Sequence, residues 1–356
     1  MSLFLCVDCG GTKTSAVIVD ASGSILGRAL GGPSNITYLT TEGFLAAVQE
    51  AVGNALKTAT TPPSETAVSL PPKGESPFKA AWFGISGADS PAAIAKVAEP
   101  LSQLLGIPYG DRLAIANDTH LLAAPMRMYD DVHYALAVIA GTGSIAVGFK
   151  EIEGKIVELG RAGGWGWILG DEGSGFDVGR ETIRQILGEN DRASVSRSAF
   201  SSTPFVKRVL EHFGVVEVME IFGSVYAPDP REGDDVKLQI LRRKREQRIS
   251  TLPPVVFQAA FEEEDPLALK ILRSCAAHLA QQIAVLLGDS GDVPDEWLIR
   301  AENAVISFGG SLVGVESYRR LILDQLESRG YFFKHVAFVD DAAATGALAL
   351  AASFKK

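Results

Sequence analysis

The first thirty residues alternate between short apolar runs and turns rich in glycine and serine. Apolar residues dominate positions 3–7, 15–19 and 25–29, and Gly10-Gly11 and Ser22-Gly23-Ser24 lie between these runs. Apolar runs of this length, bounded by turn-forming residues, are typical of β-strands joined by tight turns. The pattern therefore predicts three consecutive strands at the start of the chain.

The same pattern returns in the middle of the chain. Apolar runs are again separated by glycine turns, and Gly141 and Gly154 lie 131 positions after Gly10 and Gly23, respectively. A repeat of this length is too long for a solenoid and indicates the duplication of a whole domain. A chain of 356 residues has room for two such domains at roughly 100–200 residues each.

Elsewhere the apolar positions follow either the strand period or the helix period. Strands are predicted at 80–85, 113–116, 304–308 and 335–339, and helices at 41–58, 91–105, 120–128, 175–187, 202–213, 266–287, 315–328 and 342–353. Strands that alternate with helices are typical of α/β proteins with partly parallel sheets. The predicted fold is therefore α/β, with two duplicated domains that face each other across a cleft.

Two segments depart from this pattern. Residues 58–79 are dense in proline, serine and threonine, which favours a mobile surface insertion. Residues 229–248 are dense in charge and contain Arg-Arg-Lys-Arg-Glu-Gln-Arg at 242–248. Acidic residues precede this basic run and no aromatic residues interrupt it, so a solvated helix or loop is favoured over a nucleic-acid patch.

The overall charge narrows the range of partners. The formal net charge is −10, so the averaged field repels nucleic acid and anionic lipid, and we expect neither as a partner. A nucleotide can still bind through backbone donors or Mg²⁺. Only a short apolar run precedes Asp8, without a basic segment, which predicts neither a signal peptide nor a membrane span and favours a cytoplasmic protein.

The three cysteines are too few for a disulfide framework, as expected in a reducing compartment. Cys6 and Cys9 form a C-x-x-C pair, but they fall in a predicted strand, where residues three apart point to opposite faces. We therefore expect buried strand residues rather than a metal or redox site.

Two glycine turns are candidates for binding an anion. Asp8 ends a predicted strand and is followed by Gly10-Gly11-Thr12, and Gly141-Thr142-Gly143 occupies the equivalent place in the second copy. Glycine lets backbone N–H groups approach an anion closely, and threonine hydroxyls add donors. One such turn alone is more often a simple hairpin. Its recurrence favours two turns that hold a polyphosphate from opposite sides.

Familiar nucleotide-binding motifs do not explain these turns. The chain has no G-x-x-x-x-G-K-[ST] motif. Residues 141–146 match G-x-G-x-x-[GA], but a strand rather than a helix is predicted to follow, which argues against a dinucleotide site.

Three further segments place polar groups at strand ends. Asn117-Asp118 lies between a predicted strand and a helix, where Asp118 is either a general base or a helix cap. Residues 163–175 combine six glycines with two tryptophans and with Asp171-Glu172, a composition that favours a binding loop. Gly309-Gly310-Ser311 is either a tight strand-to-helix turn or a place where a purine or ribose packs.

Taken in order, these motifs resemble those of N-acetylglucosamine kinases of the BadF/BadG ATPase type. The combination of Gly163-Gly164-Trp165-Gly166 with Gly170-Asp171-Glu172-Gly173-Ser174 is the specific one, whereas Asp8-x-Gly-Gly-Thr12 marks only the wider superfamily of sugar kinases, actin and heat-shock chaperones. The resemblance covers roughly residues 3–350. It implies two ribonuclease-H-like (actin-like ATPase) domains that close over MgATP and an amino sugar and transfer the γ-phosphoryl group to the sugar 6-hydroxyl.

The resemblance also implies domain limits and residue roles. It places the domains at 1–118 and 119–340, with a C-terminal helix, 341–356, that packs back on the first domain. Asp118 is expected to be the base, and Asp8 to orient Mg²⁺ through water. The expected ATP contacts are Gly10, Gly11, Thr12, Gly141, Thr142, Gly143, Gly309, Gly310 and Ser311. The expected sugar contacts are Asn35, Asn117, Asp118, Gly164, Trp165, Gly166 and Asp171.

Several functions remain open at this point. Glucosamine and N-acetylmuramic acid are alternative substrates that the same residues would serve. Relatives of the family are also ATPases that activate a dehydratase through an iron–sulfur cluster held by cysteine thiolates. A sugar-responsive regulator is a third alternative, although no helix-turn-helix segment is predicted outside the two domains. A homodimer is left open.

Overall fold

The computed structural model describes residues 2–231, 238–288, 294 and 297–354. Two five-stranded sheets form its framework. The first sheet contains β1 (Leu3–Cys9), β2 (Thr14–Val19), β3 (Ile25–Gly31), β4 (Phe78–Ile85) and β5 (Leu113–Ala116). The second contains β6 (Tyr134–Ala140), β7 (Ser144–Ile152), β8 (Lys155–Gly163), β9 (Ala304–Gly309) and β10 (His335–Phe338).

The two sheets have the same topology. The first has the order β3-β2-β1-β4-β5 and the second, read from its other edge, the order β8-β7-β6-β9-β10. In each sheet the first three strands are antiparallel and the last two run parallel to the first strand of the set. The predicted duplication of a three-stranded unit, and the α/β fold built on it, are confirmed.

Eleven α-helices in the described residues connect and cover the sheets. They are α1 (Thr41–Ala59), α2 (Pro91–Leu105), α3 (Thr119–Leu122), α4 (Gly175–Ser196), α5 (Pro204–Phe213), α6 (Ile221–Tyr226), α7 (Arg245–Ser250), α8 (Pro253–Phe261), α9 (Pro266–Leu286), α10 (Glu316–Glu327) and α11 (Ala342–Ser353). Short 3₁₀ turns occupy Ala124–Met128, Val218–Glu220, Gln239–Arg242 and Ala301–Asn303.

Six of the predicted helices, which correspond to α1, α2, α5, α9, α10 and α11, agree with the structure to within two residues at each end. The helix α4 extends nine residues beyond the predicted 175–187, and α6 and α8 were not predicted. The clearest exception is the predicted helix 120–128, which is divided into α3 and a 3₁₀ turn at Ala124–Met128. Pro125 lies at the start of that turn, and proline interrupts an α-helix because it lacks the backbone N–H and its ring clashes with the preceding turn. The chain therefore changes direction soon after Asp118.

Helices cover both faces of the first sheet. One face packs with α1 and α2, and its core includes Cys9 and Phe44. The other face packs with α11, and its core includes Cys6 and Trp82. Cys6 and Cys9 are thus buried on opposite faces, as predicted. A Cβ at Gly346 would lie 2.5 Å from Cys6 Sγ, so the small residues of α11 allow it to pack closely on the sheet.

The second sheet is covered on one face by a helical layer. Its largest core joins β6 and β9 to residues of α4, α8, α9 and α10. The opposite face packs with residues 122–132, which begin at the last residue of α3. None of the described helices has both the length and the apolar character needed to cross a membrane.

The proline-rich segment forms neither helix nor strand between α1 and β4, yet it is attached to its neighbours. The backbone N–H of Val68 donates to the carbonyl of Gly53 (2.9 Å), and the Ser76 hydroxyl donates to the carbonyl of Leu105 (2.6 Å). Leu70 is buried in the core of the first sheet. The mobility of this segment stays a prediction.

The charge-dense segment contains an unexpected buried cation. Residues 232–237 lie outside the described residues, as do residues 355–356 of the predicted C-terminal helix. Arg248 has no exposed surface and donates to the backbone carbonyls of Ser224, Ala227, Pro228, Leu241 and Arg243. The prediction of a solvated segment is wrong for Arg248, because five carbonyl groups replace water around its guanidinium group.

Candidate active site

The first turn, residues 10–13, follows Asp8 at the carboxyl end of β1. The backbone N–H of Gly10 donates to the carbonyl of Lys13 (3.0 Å), which closes the turn. Gly11 and Thr12 are exposed at its tip, and nothing lies within 4 Å of a Cβ built on Gly11. The tip thus offers backbone and hydroxyl donors to a ligand.

Asp118 follows the carboxyl end of β5, and its carboxylate does not cap a helix. It occupies the N-cap position of α3 without any side-chain hydrogen bond to the helix. Asn117 Oδ1 instead accepts from the backbone N–H (3.0 Å) and the hydroxyl (2.8 Å) of Thr119. Asp118 Oδ2 accepts a hydrogen bond of 2.5 Å from the Ser86 hydroxyl. Of the two roles predicted for Asp118, the helix cap is therefore excluded.

Asp8 and Asp118 form a pair of interacting carboxylates. Burial, together with the negative charges of Asp118 and Asp341, raises the pKa of Asp8 to about 6, against the lowering effect of Lys13. Two half-buried carboxylates that repel each other are a favourable environment for a hard divalent cation, which prefers oxygen ligands. The donor set around Asp8 therefore fits Mg²⁺.

Two loops from the first sheet bring the predicted sugar contacts together. The backbone N–H of Ile36 donates to the carbonyl of Ser86 (3.2 Å), so the loop that carries Asn35 packs on the loop after β4. Asn117 Nδ2 donates to Asp89 Oδ1 (2.7 Å) in that same loop. Asn35, Asn117 and Asp118 thus surround residues 86–89.

Close approach of these loops depends on Gly87. Its φ is +89°, and a Cβ there would lie 2.3 Å from Thr37 Oγ1 and 3.0 Å from Asn35 Oδ1. Any larger residue would push the Asn35 loop away. Sequence reasoning missed Ser86, Gly87 and Asp89, although their place directly after a buried strand is the same signal that drew attention to Asp8 and Asp118.

The second turn, residues 141–144, follows β6 and is fixed from behind by Asp171. The N–H of Gly141 donates to the carbonyl of Gly143 (3.0 Å), two residues on, whereas the N–H of Gly10 donates to a carbonyl three residues on. The N–H of Ser144 donates to Asp171 Oδ1 (3.1 Å). Thr142 is exposed at the tip, as Thr12 is in the first turn.

The turn at Gly309-Gly310-Ser311 lies next to the second turn. Gly310 has a φ of +103°, and a Cβ there would lie 2.6 Å from the carbonyl oxygen of Ala140, directly before the second turn. A Cβ on Gly141 would lie 3.7 Å from Ser311 Oγ. Gly310 and Ser311 are exposed. The helix α10 begins five residues after Ser311 rather than immediately after it.

In the glycine-rich segment after β8, some of the residues predicted to contact the sugar are exposed and one is buried. Gly164 and Gly166 have φ values of +72° and +78°, and Trp165 between them is 68% exposed. Asp171 is 7% exposed, and its carboxylate faces the second turn. A direct contact of Asp171 with a sugar stays a prediction.

The short helix α3 lies between the carboxyl edges of the two sheets. A Cβ on Gly84, at the end of β4, would lie 2.5 Å from the side chain of Leu121. A Cβ on Gly309, at the end of β9, would lie 2.9 Å from that of Leu122. Both edges, with their turns and carboxylates, therefore adjoin the same helix.

The cysteines are unsuited to ligating a cluster together. Cys6, Cys9 and Cys275 are fully buried, the first two on opposite faces of one sheet and the third in α9. Burial raises the pKa of each thiol, which disfavours the thiolate form that binds iron.

Two sheets of equal strand order, each with a glycine turn and polar groups at its carboxyl edge, define a duplicated actin-like ATPase fold. The profile of the BadF/BadG/BcrA/BcrD ATPase family matches residues 5–351. The chain belongs to this family.

Two relatives of known name share part of the sequence. The chain is 28% identical to the N-acetyl-D-glucosamine kinase of Dictyostelium discoideum over 260 residues, which are 72% of this chain and 71% of that protein. It is 31% identical to the N-acetylmuramic acid/N-acetylglucosamine kinase of Clostridium acetobutylicum over 193 residues, 54% of this chain and 56% of that protein.

Two solved structures share the fold along the whole chain. Both are provisionally named N-acetylglucosamine kinases, one from Porphyromonas gingivalis (TM-score 0.59, 21% identity) and one from Chromobacterium violaceum (TM-score 0.57, 22% identity). Each similarity covers 99% of both chains.

Proposed function

We propose that the protein transfers the γ-phosphoryl group of ATP to the 6-hydroxyl of N-acetyl-D-glucosamine. The observation that carries this proposal is the Asp118 carboxylate, which stands at a strand end, is held by Ser86 and caps no helix. The names of the two relatives support the substrate class.

Asp118 would act as the general base. Its Oδ2 is occupied by the Ser86 hydroxyl, which leaves Oδ1 to accept the proton of the sugar hydroxyl. Phosphoryl transfer needs an aligned acceptor and charge stabilisation more than covalent help from the protein. A carboxylate fixed by a short hydrogen bond supplies that alignment.

The two turns would hold the phosphates of ATP. Thr12 and Thr142 are exposed at equivalent tips, beside the glycines that give access to backbone N–H groups, Gly10, Gly11, Gly141 and Gly143. The exposed pair Gly310 and Ser311, together with Gly309, lies beside the second turn and would contact the adenosine.

Asp8 would orient Mg²⁺ through water. When bound, the ion would neutralise charge on the phosphates. The contribution of the chain is the carboxylate itself, whose raised pKa reflects burial and the proximity of Asp118.

The sugar would lie between the two sheets. Asn35 and Asn117 adjoin Asp118 through the loop of residues 86–89. Gly164, Trp165 and Gly166 would close over the sugar from the second sheet, with Asp171 behind them. We place the domain boundary between Asp118 and Thr119, and we assign α11 to the first domain because it packs on the first sheet.

Other sugar substrates and other classes of protein are less well supported. Glucosamine and N-acetylmuramic acid remain alternative acceptors, the latter because the Clostridium relative carries that name. The burial of all three cysteines disfavours a dehydratase activator with a cysteine-bound cluster.

A coupled assay of ADP release tests the proposal. The purified protein is supplied with MgATP and, in turn, N-acetylglucosamine, glucosamine, N-acetylmannosamine, N-acetylmuramic acid and glucose. We expect the highest kcat/KM with N-acetylglucosamine and formation of its 6-phosphate. ADP release that no sugar stimulates would overturn the proposal, and a preference for another amino sugar would correct the substrate.

A further inference from the structure

A buried network of charged side chains supports the segment of residues 171–174. Asp177, in the first turn of α4, has no exposed surface. Its Oδ2 accepts from the backbone N–H of Gly173 (2.8 Å) and is hydrogen-bonded to His278 Nδ1 (3.0 Å). Its Oδ1 accepts from Arg180 (2.7 Å). One carboxylate thus connects two helices to the backbone of this segment.

The carbonyl group of Gly173 is also fixed by a side-chain hydrogen bond. The hydroxyl of Tyr318, from α10, donates to the carbonyl oxygen of Gly173 (2.9 Å). Tyr318 is fully buried. Both polar groups of the same peptide residue are therefore fixed by side chains from distant parts of the chain.

Residues 171–174 are hydrogen-bonded directly to the second turn. The Ser144 hydroxyl donates to the carbonyl of Glu172 (2.7 Å), and the Ser144 N–H donates to Asp171 Oδ1 (3.1 Å). The N–H of Gly175 donates to the carbonyl of Gly141 (2.7 Å). A displacement of the segment would therefore displace the second turn.

The segment needs support because its backbone is unusual. Asp171 has a φ of +61° and Gly173 a φ of +71°, both in the left-handed region. Conformations of this kind in a residue other than glycine persist only where the surroundings impose them. A Cβ on Gly173 would lie 2.4 Å from Leu279, so α9 leaves no room for an alternative residue.

We propose that Asp177 and Tyr318 are positioning residues for nucleotide binding, which hold residues 171–174 so that the second turn keeps its phosphate-binding shape. This inference rests on the proposed function, in which Gly141, Thr142 and Gly143 contact ATP. Because Asp177 and Tyr318 are both fully buried, they would act through this segment rather than by contact with the substrates.

The charge of Asp177 is retained in its buried position. Burial by itself would raise the pKa of this carboxyl, but the hydrogen bonds from His278 and Gly173 and the charge of Arg180 bring it below its ordinary value. The ionised form therefore persists and accepts from all three partners.

A metal site is the competing explanation of this network. Ligand atoms of Glu172, Asp177 and His278 lie within 4.8 Å of one another. However, Arg180 already donates to both carboxylates, at 3.1 Å to Glu172 and 2.7 Å to Asp177. Its guanidinium supplies the positive charge that a metal ion would bring.

The test compares Asp177→Asn and Tyr318→Phe with a matched control, Glu181→Gln. Glu181 is a buried acid one turn further along α4, and it accepts a hydrogen bond from Gln185 of the same helix. For each variant we would measure Tm, the Kd for a nonhydrolysable ATP analogue, and KM for ATP and for sugar. Tyr318→Phe removes a single hydroxyl and keeps the inference testable if Asp177→Asn does not fold.

We expect the Kd of the analogue and the KM for ATP to rise roughly 10- to 100-fold in both variants, with the KM for sugar within about twofold of wild type. The control should match wild type in nucleotide binding. A fall in Tm with unchanged nucleotide binding, or an equal rise of both KM values, would overturn the inference. Absence of sugar-dependent ADP release in the wild type would instead overturn the proposed function, while analogue binding would still test the positioning role.

Discussion

The hydroxyl of Ser86 donates a hydrogen bond of 2.5 Å to Asp118 Oδ2 across two neighbouring parallel strands. The two residues are 32 positions apart in the sequence, and they meet because Gly84 of β4 is in register with Ala116 of β5. Each residue lies two positions after its member of this pair. The hydrogen bond sets the direction of the carboxylate and leaves its second oxygen free.

Removal of this hydroxyl should impair catalysis more than binding. In Ser86→Ala, Asp118 loses the group that orients it, so we expect kcat to fall by roughly tenfold, with KM for ATP unchanged. Steady-state kinetics provide the measurement. Ser90→Ala is the control, because Ser90 caps α2 and its loss should lower Tm without lowering kcat. An unchanged kcat in Ser86→Ala would show that the hydrogen bond is dispensable.

Loss of the Asp118 charge should separate binding from turnover. In Asp118→Asn the amide fills the same space but cannot accept the hydroxyl proton, so we expect kcat to fall by roughly 10²- to 10⁴-fold. Calorimetric binding of sugar and of an ATP analogue should remain close to wild type. Turnover near the wild-type rate would exclude Asp118 as the base.

Arg248 should be required for stability rather than for activity. Arg248→Met leaves backbone carbonyls of residues 224–243 without their donor, and we expect the free energy of unfolding to fall by about 3 kcal/mol. Denaturant unfolding measures this change. Arg245→Ala serves as the control, since Arg245 is half exposed and its contact with Asp229 is 3.7 Å. Equal stability of the two variants would contradict the structural role.

His120 should make the fold sensitive to acid. Burial lowers its pKa to about 4, against a weaker opposing effect of the backbone of Asn117. Between about pH 6.5 and 4 the unfolded chain therefore binds a proton that the folded chain does not, and folding stability falls as the pH falls through this window, by up to about 3 kcal/mol.

The variant His120→Phe isolates this effect. Its ring can keep the edge contact with Phe149 but carries no titratable group. Urea unfolding at pH 7, 6 and 5 should show a smaller loss of stability in the variant than in the wild type. Parallel pH profiles of the two proteins would show that His120 does not titrate in this range.

The local patterns of the sequence were sufficient to predict the framework. The periodicity of neighbouring residues predicts the first three strands of each sheet and the helix α11 at Ala342–Ser353. It also predicts that the turn after Asp8 and the turn after β6 are equivalent. These elements are specified within a few residues, so a pattern along the chain is enough to find them.

The partners of the functional groups could not be predicted in this way. Ser86 meets Asp118 across 32 positions, His278 meets Asp177 across 101, and Tyr318 meets Gly173 across 145. Such pairs depend on how strands and helices pack, and no short-range pattern encodes them. The burial of Arg248 could not be predicted for the same reason, since its carbonyl partners become neighbours only after the segment has folded.

The position of α11 in the chain has a consequence for folding during translation. This helix covers Phe4, Cys6 and Trp82 on one face of the first sheet, yet it follows the whole second sheet in the chain. During translation the ribosome releases the strands of the first sheet long before the helix that shields them. We therefore expect the nascent chain to expose an apolar face of the first sheet to chaperones until α11 has been synthesised.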